Sequence, residues 1–174
     1  MISASQQVLL VVLRTLIGWH FLYEGYVKLL RPAWGPDGVP LAPWSAAAYL
    51  RGATGLFAPL FNALGSSAWI GTIDSIVVVA LVAIGLSLML GLFTQLGCIG
   101  AMTLLTTFYL SSIPMSGLQE PRQEGAYLLV NKNLIELVAV AVVLAFRTGH
   151  IAGLDRWLIA IRRRSTTPFE EAAA

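Results

Sequence analysis

Four long apolar stretches dominate the pattern of hydrophobic and polar positions along the chain. A helix needs about 20 mostly apolar residues to cross a bilayer, because each residue adds about 1.5 Å and the hydrocarbon core is about 30 Å thick. The stretches cover residues 8–30, 68–90, 94–113 and 128–146. Helices are expected for such runs, since unpaired backbone groups are costly in lipid. The pattern predicts an all-α membrane protein: an antiparallel four-helix transmembrane bundle forming one domain, residues 1–158.

The connections between the predicted spans differ greatly in length. Only residues 91–93 separate the second span from the third, which predicts a tight hairpin with Thr94 as the N-cap of the third helix. The first and second spans are separated by residues 31–67, a long extracytoplasmic loop that begins rich in proline and tryptophan. Within it, residues 45–51 and 58–64 are expected to form short interfacial helices. The loop is either a lid over the bundle or a solvated cap.

The charges that flank the spans predict the orientation of the bundle. An even number of spans puts both termini on one side, and Arg156 with the three arginines at 162–164 follows the fourth span closely. The positive-inside tendency places this side in the cytoplasm. Residues 159–174 are expected to be a basic and then disordered cytoplasmic tail. The first stretch is interrupted by Arg14 and His20, so we expect a retained helix rather than a cleaved signal peptide.

Composition excludes several function classes. Hydrophobic residues make up 57% of the chain and charged residues 11%, against about a quarter charged in soluble domains. The mean hydropathy is +0.76 and the net charge only +2, with no basic stripe for nucleic acid. Cys98 is the only cysteine, so an intrachain disulfide is excluded. His20 and His150 fall at opposite ends of the predicted bundle, which excludes bis-His haem ligation within one chain. With no cysteine cluster, no metal site is predicted, and a metal ion held by His20 with Glu24 and the other carboxylates is the minor alternative.

The charged residues inside the predicted spans are the most informative feature, because each costs about 2.5–3.5 kcal/mol on insertion. Glu24, Asp74 and Glu136 belong to three different spans and are predicted to lie at nearly one depth, roughly 9 Å inside the outer end. Lys28 and Lys132 each stand four residues from a glutamate, one turn nearer the outer surface.

These residues predict a polar pocket in the outer half of the bundle. The lysines would attract anions to its mouth and the carboxylates would handle protons at its floor. The expected catalytic residues are Glu24, Glu136 and Asp74, and the expected substrate-binding residues are Lys28, Lys132, His20, Asn131, Asn133 and Tyr23. The alternative is structural, since the same charges could pair across helices and set the register of the bundle.

Several motifs resemble those of the DoxX/DoxD family of membrane proteins. The resemblance is carried by residues 18–25 (GWHFLYEG) with Lys28-Leu29, by the hairpin 91–94 (GLFT), by 124–136 (EGAYLLVNKNLIE) and by 153–155 (GLD). It implies a four-helix bundle in the cytoplasmic membrane of a bacterium or archaeon. DoxD relatives are subunits of a thiosulfate:quinone oxidoreductase, which implies a bound quinone and other membrane or periplasmic subunits. In that role Lys28 and Lys132 would attract the anion, and Glu24 or Glu136 would take protons from the quinol.

Three functions are open, because fold transfers across such families better than function does. The first is an integral membrane subunit of a quinone-linked oxidoreductase. The second is a non-catalytic scaffold or accessory subunit of a larger membrane complex. The third is a small-anion or proton transporter, which ranks last because no span is broken at mid-depth as transporter helices often are.

Overall fold

The computed structural model describes residues 2–30, 43–54, 56–113, 126–127 and 129–166, which are mostly helical. The elements are α1 (Ala4–Leu29), α2 (Ala47–Arg51), α3 (Ala58–Gly65), α4 (Ile70–Leu90), α5 (Thr94–Ser111), β1 (Ala126–Tyr127), β2 (Val130–Asn131), α6 (Lys132–Ala145), α7 (Thr148–Ile151) and α8 (Leu154–Thr166). The two short strands pair as an antiparallel hairpin. Two of these helices, α1 and α4, are long and apolar enough to cross a membrane.

The four longest core helices pack side by side in a ring. Helix α1 contacts α4, α4 contacts α5, α5 contacts α6, and α6 returns to α1. The interior is filled by Ile17, Phe21, Leu81, Ile84, Leu88, Cys98, Ala101, Leu105, Val140 and Val143. We call the end of the ring that carries α2 and α3 the loop end. The opposite end, with the α4–α5 connection, α7 and the start of α8, is the turn end.

Glycines bring α1 and α4 into close contact and set their register. A Cβ atom at Gly18 would lie 2.8 Å from the backbone of Met89, and one at Gly85 would lie 2.4 Å from the backbone of Leu22. Larger side chains would therefore force these helices apart. The register that follows from these contacts places Glu24 level with Ala83 on α4.

The fourth helix of the ring begins later than its apolar pattern predicts. Residues 130–131 form β2, and the Asn131 side chain accepts a hydrogen bond from Leu134 N at 3.0 Å, which caps α6. The predicted start at residue 128 is therefore wrong. With 14 residues, α6 is about 21 Å long. Helix α1 instead begins earlier than predicted, because Ser3 and Gln6 form a capping box.

The predicted hairpin between the second and third apolar stretches is present, but its cap differs. Gly91 and Phe93 adopt left-handed backbone conformations, with φ of 64° and 50°. Phe93, not Thr94, occupies the N-cap position of α5, and no side chain within this turn caps the helix. The caps come from Asp155, which accepts hydrogen bonds from Phe93 N and Thr94 N. The Thr94 prediction is therefore corrected.

Helices α2 and α3 form within the stretches where short helices are predicted, at the loop end. Leu50 and Phe61 are buried together and pack against residues of α4 and α5. Thr54 N also donates to Ser111 O at 3.0 Å, which ties this segment to the end of α5. Residues 159–166 of the predicted tail belong to α8 and are helical. Several predictions lie outside the described residues: the disordered end at 169–174, the proline-rich start of the loop at 31–42, and residues 124–125 and 128 of the family motif.

Candidate functional site

A histidine and a glutamate meet between two neighbouring helices of the ring, α1 and α6. Gly18 and Leu22 lie level with Met89 and Gly85 of α4, so His20 is nearer the turn end and not in the outer half that the sequence predicts for the pocket. His20 Nδ1 on α1 lies 2.7 Å from Glu136 Oε1 on α6, within hydrogen-bonding distance. The imidazole is 45% exposed and the carboxylate 14% exposed. We call these two residues the dyad. A hydrogen-bonded imidazole and carboxylate can exchange a proton with a third group that reaches the exposed ring.

The capped start of α6 positions the acidic member of the dyad. Asn131 is 6% exposed and its side chain holds the first turn of α6, so Glu136 lies in the second turn and faces α1. Tyr109 on α5 donates its hydroxyl to Leu129 O at 2.9 Å, which anchors the chain just before the cap. Asn131 was predicted to bind substrate. In the structure its side-chain oxygen is engaged by the helix, while Asn133 is half-buried within the same turn.

Aromatic rings flank the basic member of the dyad on α1. The rings of Trp19 and Tyr23 stack with centroids 6.1 Å apart, and the two residues are 55% and 54% exposed. Tyr23, predicted to bind substrate, thus lies beside His20 and presents a flat surface to the outside of the ring. The site therefore combines a proton-exchanging pair with an adjoining apolar, planar surface.

The remaining predicted charges on α1 and α6 lie around the dyad. Glu24 forms an ion pair with Lys28 one turn further along α1. The Lys28 ammonium also lies 5.4 Å from the ring centroid of Trp44, a cation–π contact with the chain that leads into α2. Glu24 and Lys132 are both close enough to act electrostatically on His20. The structure thus brings His20, Glu24, Glu136 and the two lysines into one region.

Asp74 is not part of this region. Its Oδ1 accepts a hydrogen bond from Ala46 N at 2.8 Å, just before α2. Since Glu24 is level with Ala83, nine positions from Asp74, the two carboxylates differ in depth by about 13 Å. The expectation of three carboxylates at one depth is therefore wrong for Asp74. The reason is that α4 continues past the end of α1 to meet the loop-end helices, an offset that hydropathy does not reveal.

Comparison of the chain with protein-family models, with curated protein sequences and with solved structures found no match. The likeness to the DoxX/DoxD family stays a prediction from the motifs. Within the described ranges, no group of three or more His, Cys, Asp or Glu residues is arranged to hold a metal ion.

The sequence interpretation missed a second polar cluster, at the turn end. Arg14 is only 3% exposed and its Nη1 donates to Thr148 O at 3.0 Å. The Asp155 carboxylate accepts from Phe93 N at 2.7 Å and from Thr94 N at 2.9 Å. The sequence held one signal of this cluster, the glycines at 91 and 153. In the structure their backbones are in contact and leave no room for a side chain.

The turn-end cluster is electrostatically complementary. Burial raises the pKa of Asp155, but hydrogen bonds from Thr94 and Phe93 outweigh it and leave that pKa below its usual value. The ionised carboxylate then compensates the charge of Arg14. A shallow crevice lined by Thr94, Cys98 and Asp155 opens here, too narrow to admit a water molecule. Arg14 Nη1 and the Asp155 carboxylate are thus committed to the fold, and the crevice leaves no room for a substrate. Arg14 Nε, Thr94 Oγ1 and Thr148 Oγ1 are buried without a hydrogen-bond partner among the described residues.

Proposed function

We propose that the chain is a multi-pass protein of the cytoplasmic membrane and a subunit of a quinone-linked oxidoreductase. In this proposal His20 and Glu136 exchange protons with the headgroup of a bound quinone. The observation that carries it is the 2.7 Å contact between His20 Nδ1 and Glu136 Oε1, with the imidazole 45% exposed.

The membrane placement is supported by the helices that leave their apolar surface uncovered. Only 22% of the most apolar window of α4 is buried within the protein. The core helix of a soluble protein of such composition would be mostly buried. Ile76 and Val79 on α4 are 61% and 67% exposed, so lipid is the natural cover for this face. We propose that α5 and α6 complete a four-helix transmembrane bundle, with both termini cytoplasmic and the loop end outside.

Proton exchange is the chemistry that the dyad can supply. Reduction of a quinone to a quinol takes up two electrons and two protons, and oxidation of the quinol releases them. Glu136, through His20, can pass a proton to or from a ring oxygen that reaches the imidazole. The electrons are assigned to a donor on a partner subunit. If thiosulfate is the reductant, the dyad delivers protons to the quinone, the opposite of the direction implied by the resemblance.

Two neighbouring features suit the proposed ligand. The stacked rings of Trp19 and Tyr23 offer an apolar plane beside His20, on which a quinone ring can lie. Lys132 is exposed and acts electrostatically on the dyad, which favours an anionic reductant at the loop end. Thiosulfate remains one such anion, proposed on the resemblance.

An accessory subunit is the second candidate, and the outer surface of α6 favours it. Ile135, Val138 and Val142 are 60%, 58% and 36% exposed and follow one another at helical spacing. Helix α6 is about 21 Å long, shorter than the hydrocarbon core of about 30 Å. A helix of a partner subunit packed along this stripe would cover the exposed apolar face of α6.

Gentle extraction of the native complex, followed by mass spectrometry and quinone-turnover assays, separates these candidates. We expect wild-type protein to retain quinone, and Glu136→Gln to lower turnover by at least about 100-fold, the usual contribution of a general acid or base. Glu170→Gln, the same change in the C-terminal segment, is the matched control. Unchanged turnover in Glu136→Gln, with helicity and thermal stability preserved in both variants, would reject the proton-exchange role. Recovery of partner proteins without quinone would favour the accessory subunit.

A further inference from the structure

Helix α8 carries an apolar stripe on its surface at the turn end. Leu154, Trp157, Leu158 and Ile161 are 41%, 63%, 38% and 44% exposed. The last three lie three, four and seven residues after Leu154, so all four are on one face of the helix. Exposed apolar residues in a contiguous stripe of this kind mark a surface that binds something.

Basic residues accompany the stripe. Arg156 lies within α8 and residues 162–164 of the same helix are three arginines, whereas Asp155 is its only acidic residue. The charge of Asp155 is already engaged by the backbone of α5. The rest of the helix is therefore purely cationic.

The start of α8 is fixed against the end of the ring. Asp155 N donates to Gly91 O at 2.8 Å, in addition to the two bonds that its carboxylate accepts. A Cβ atom at Gly153 would lie 2.8 Å from Gly91 O, so the two backbones are in contact. The helix thus leaves the protein at the level where α4 ends and α5 begins. In the proposed membrane placement this end of the ring faces the cytoplasm.

We propose that α8 lies on the cytoplasmic membrane surface and binds anionic phospholipid. This inference rests on the proposed membrane placement. The apolar stripe would enter the headgroup–acyl boundary, with Trp157 at the depth that tryptophan prefers. The arginines would contact the phosphates, and a negatively charged leaflet complements the charge of the helix. A partner protein could cover the same stripe, and the test is designed to detect that outcome.

The test places nitroxide labels on the full-length chain in lipid nanodiscs. In a Cys98→Ala background, single cysteines replace Leu158 on the stripe, Ala160 off the stripe, or Val79 on α4. Nanodiscs contain phosphatidylcholine alone or with about 30% phosphatidylglycerol, a fraction chosen to give the negative leaflet that attracts basic segments. We expect position 158 to be accessible to oxygen and shielded from a water-soluble nickel complex in the anionic nanodiscs. Position 160 should remain accessible to nickel, and the shielding of 158 should weaken several-fold without the anionic lipid.

The outcomes separate this inference from the proposed function. Lipid contact at Val79 with water contact at Leu158 in anionic nanodiscs would overturn the α8 proposal alone. Water contact at Val79 would overturn the membrane placement. Shielding of Leu158 that is equal in both lipids and accompanied by cross-linking to a copurified protein would assign the stripe to a protein partner, against the proposal. As an independent measurement, replacing residues 162–164 by glutamine should reduce phosphatidylglycerol retained in native mass spectra several-fold, and unchanged retention would count against the arginine contacts.

Discussion

The two polar clusters of the helical ring, the turn-end cluster and the dyad, hold their charges in opposite ways. At the turn end, Arg14 is buried and bonds a backbone carbonyl, while Asp155 bonds backbone amides. In the dyad, His20 and Glu136 bond each other through side chains, and the imidazole is 45% exposed. A charge committed to the backbone holds elements together. A side-chain pair with one exposed member can be contacted by a ligand.

This difference assigns stability to the turn-end cluster and chemistry to the dyad. Replacing a turn-end residue should unfold or loosen the ring, because buried backbone groups lose their partners. Replacing a dyad residue should leave the ring nearly intact, because partly exposed pairs contribute little to stability. Each of the following predictions tests one side of this comparison.

The largest loss of stability is expected for Arg14→Met. The change removes the donor to Thr148 O and leaves the Asp155 carboxylate without its nearest buried cation, for a loss of about 2–4 kcal/mol in the free energy of unfolding. Unfolding in mixed detergent micelles measures it. Arg51→Met, at an exposed position of α2, is the matched control and should change stability by less than about 0.5 kcal/mol. Equal effects of the two substitutions would refute a structural role for the buried arginine.

Asp155→Asn should have the next largest effect, because it removes the charge that caps α5. The expected loss is about 1–2 kcal/mol, the range for helix caps. The pKa of Asp155 is lowered in the folded protein, so its contribution is present above the unfolded value of about 3.9 and is lost as pH falls through the folded value. Stability curves recorded from neutral to acidic pH should therefore converge for wild type and variant at the acidic end. Stability curves of wild type and variant that stay parallel down to acidic pH would contradict this pH dependence.

Asn131→Ala should cost about 1 kcal/mol by removing the cap of α6. Because α6 positions Glu136, the variant should also weaken the contact with His20, seen as a change in the imidazole NMR signals. Asn131→Asp keeps an acceptor oxygen at the cap and should restore both properties. If the aspartate variant behaves like the alanine variant, capping is not what this side chain does.

Local signals in the sequence account for most of the helices. Long apolar runs predict α1, α4 and α5 to within a few residues at most ends, and the short helices expected at 45–51 and 58–64 correspond to α2 and α3. Contacts between distant segments account for the rest. Asp155 caps α5 although it lies 62 residues along the chain from Phe93. No rule based on neighbouring residues could predict that cap.

The site was partly predictable for the same reason. His20, Glu24, Lys28 and Glu136 are conspicuous because charge inside an apolar run is costly. Their pairing is not evident from the sequence. Residue spacing predicts the contact of Glu24 with Lys28, but it does not predict the contact of His20 with Glu136. The depth of Asp74 depends on the register between α1 and α4, which glycine contacts such as that of Gly85 determine. Hydropathy is calculated along one helix at a time, so it cannot reveal an axial offset between two helices.

A double-mutant cycle of the dyad tests the central claim most directly. Quinone turnover is measured for wild type, His20→Gln, Glu136→Gln and the double variant, with unfolding free energies measured alongside. If the two side chains act as one proton-exchanging unit, the double variant should be no slower than the slower single variant, and each single change should alter stability by less than about 1 kcal/mol. Rate effects that multiply in the double variant, or turnover that falls only in proportion to lost folded protein, would contradict the assignment of chemistry to the dyad.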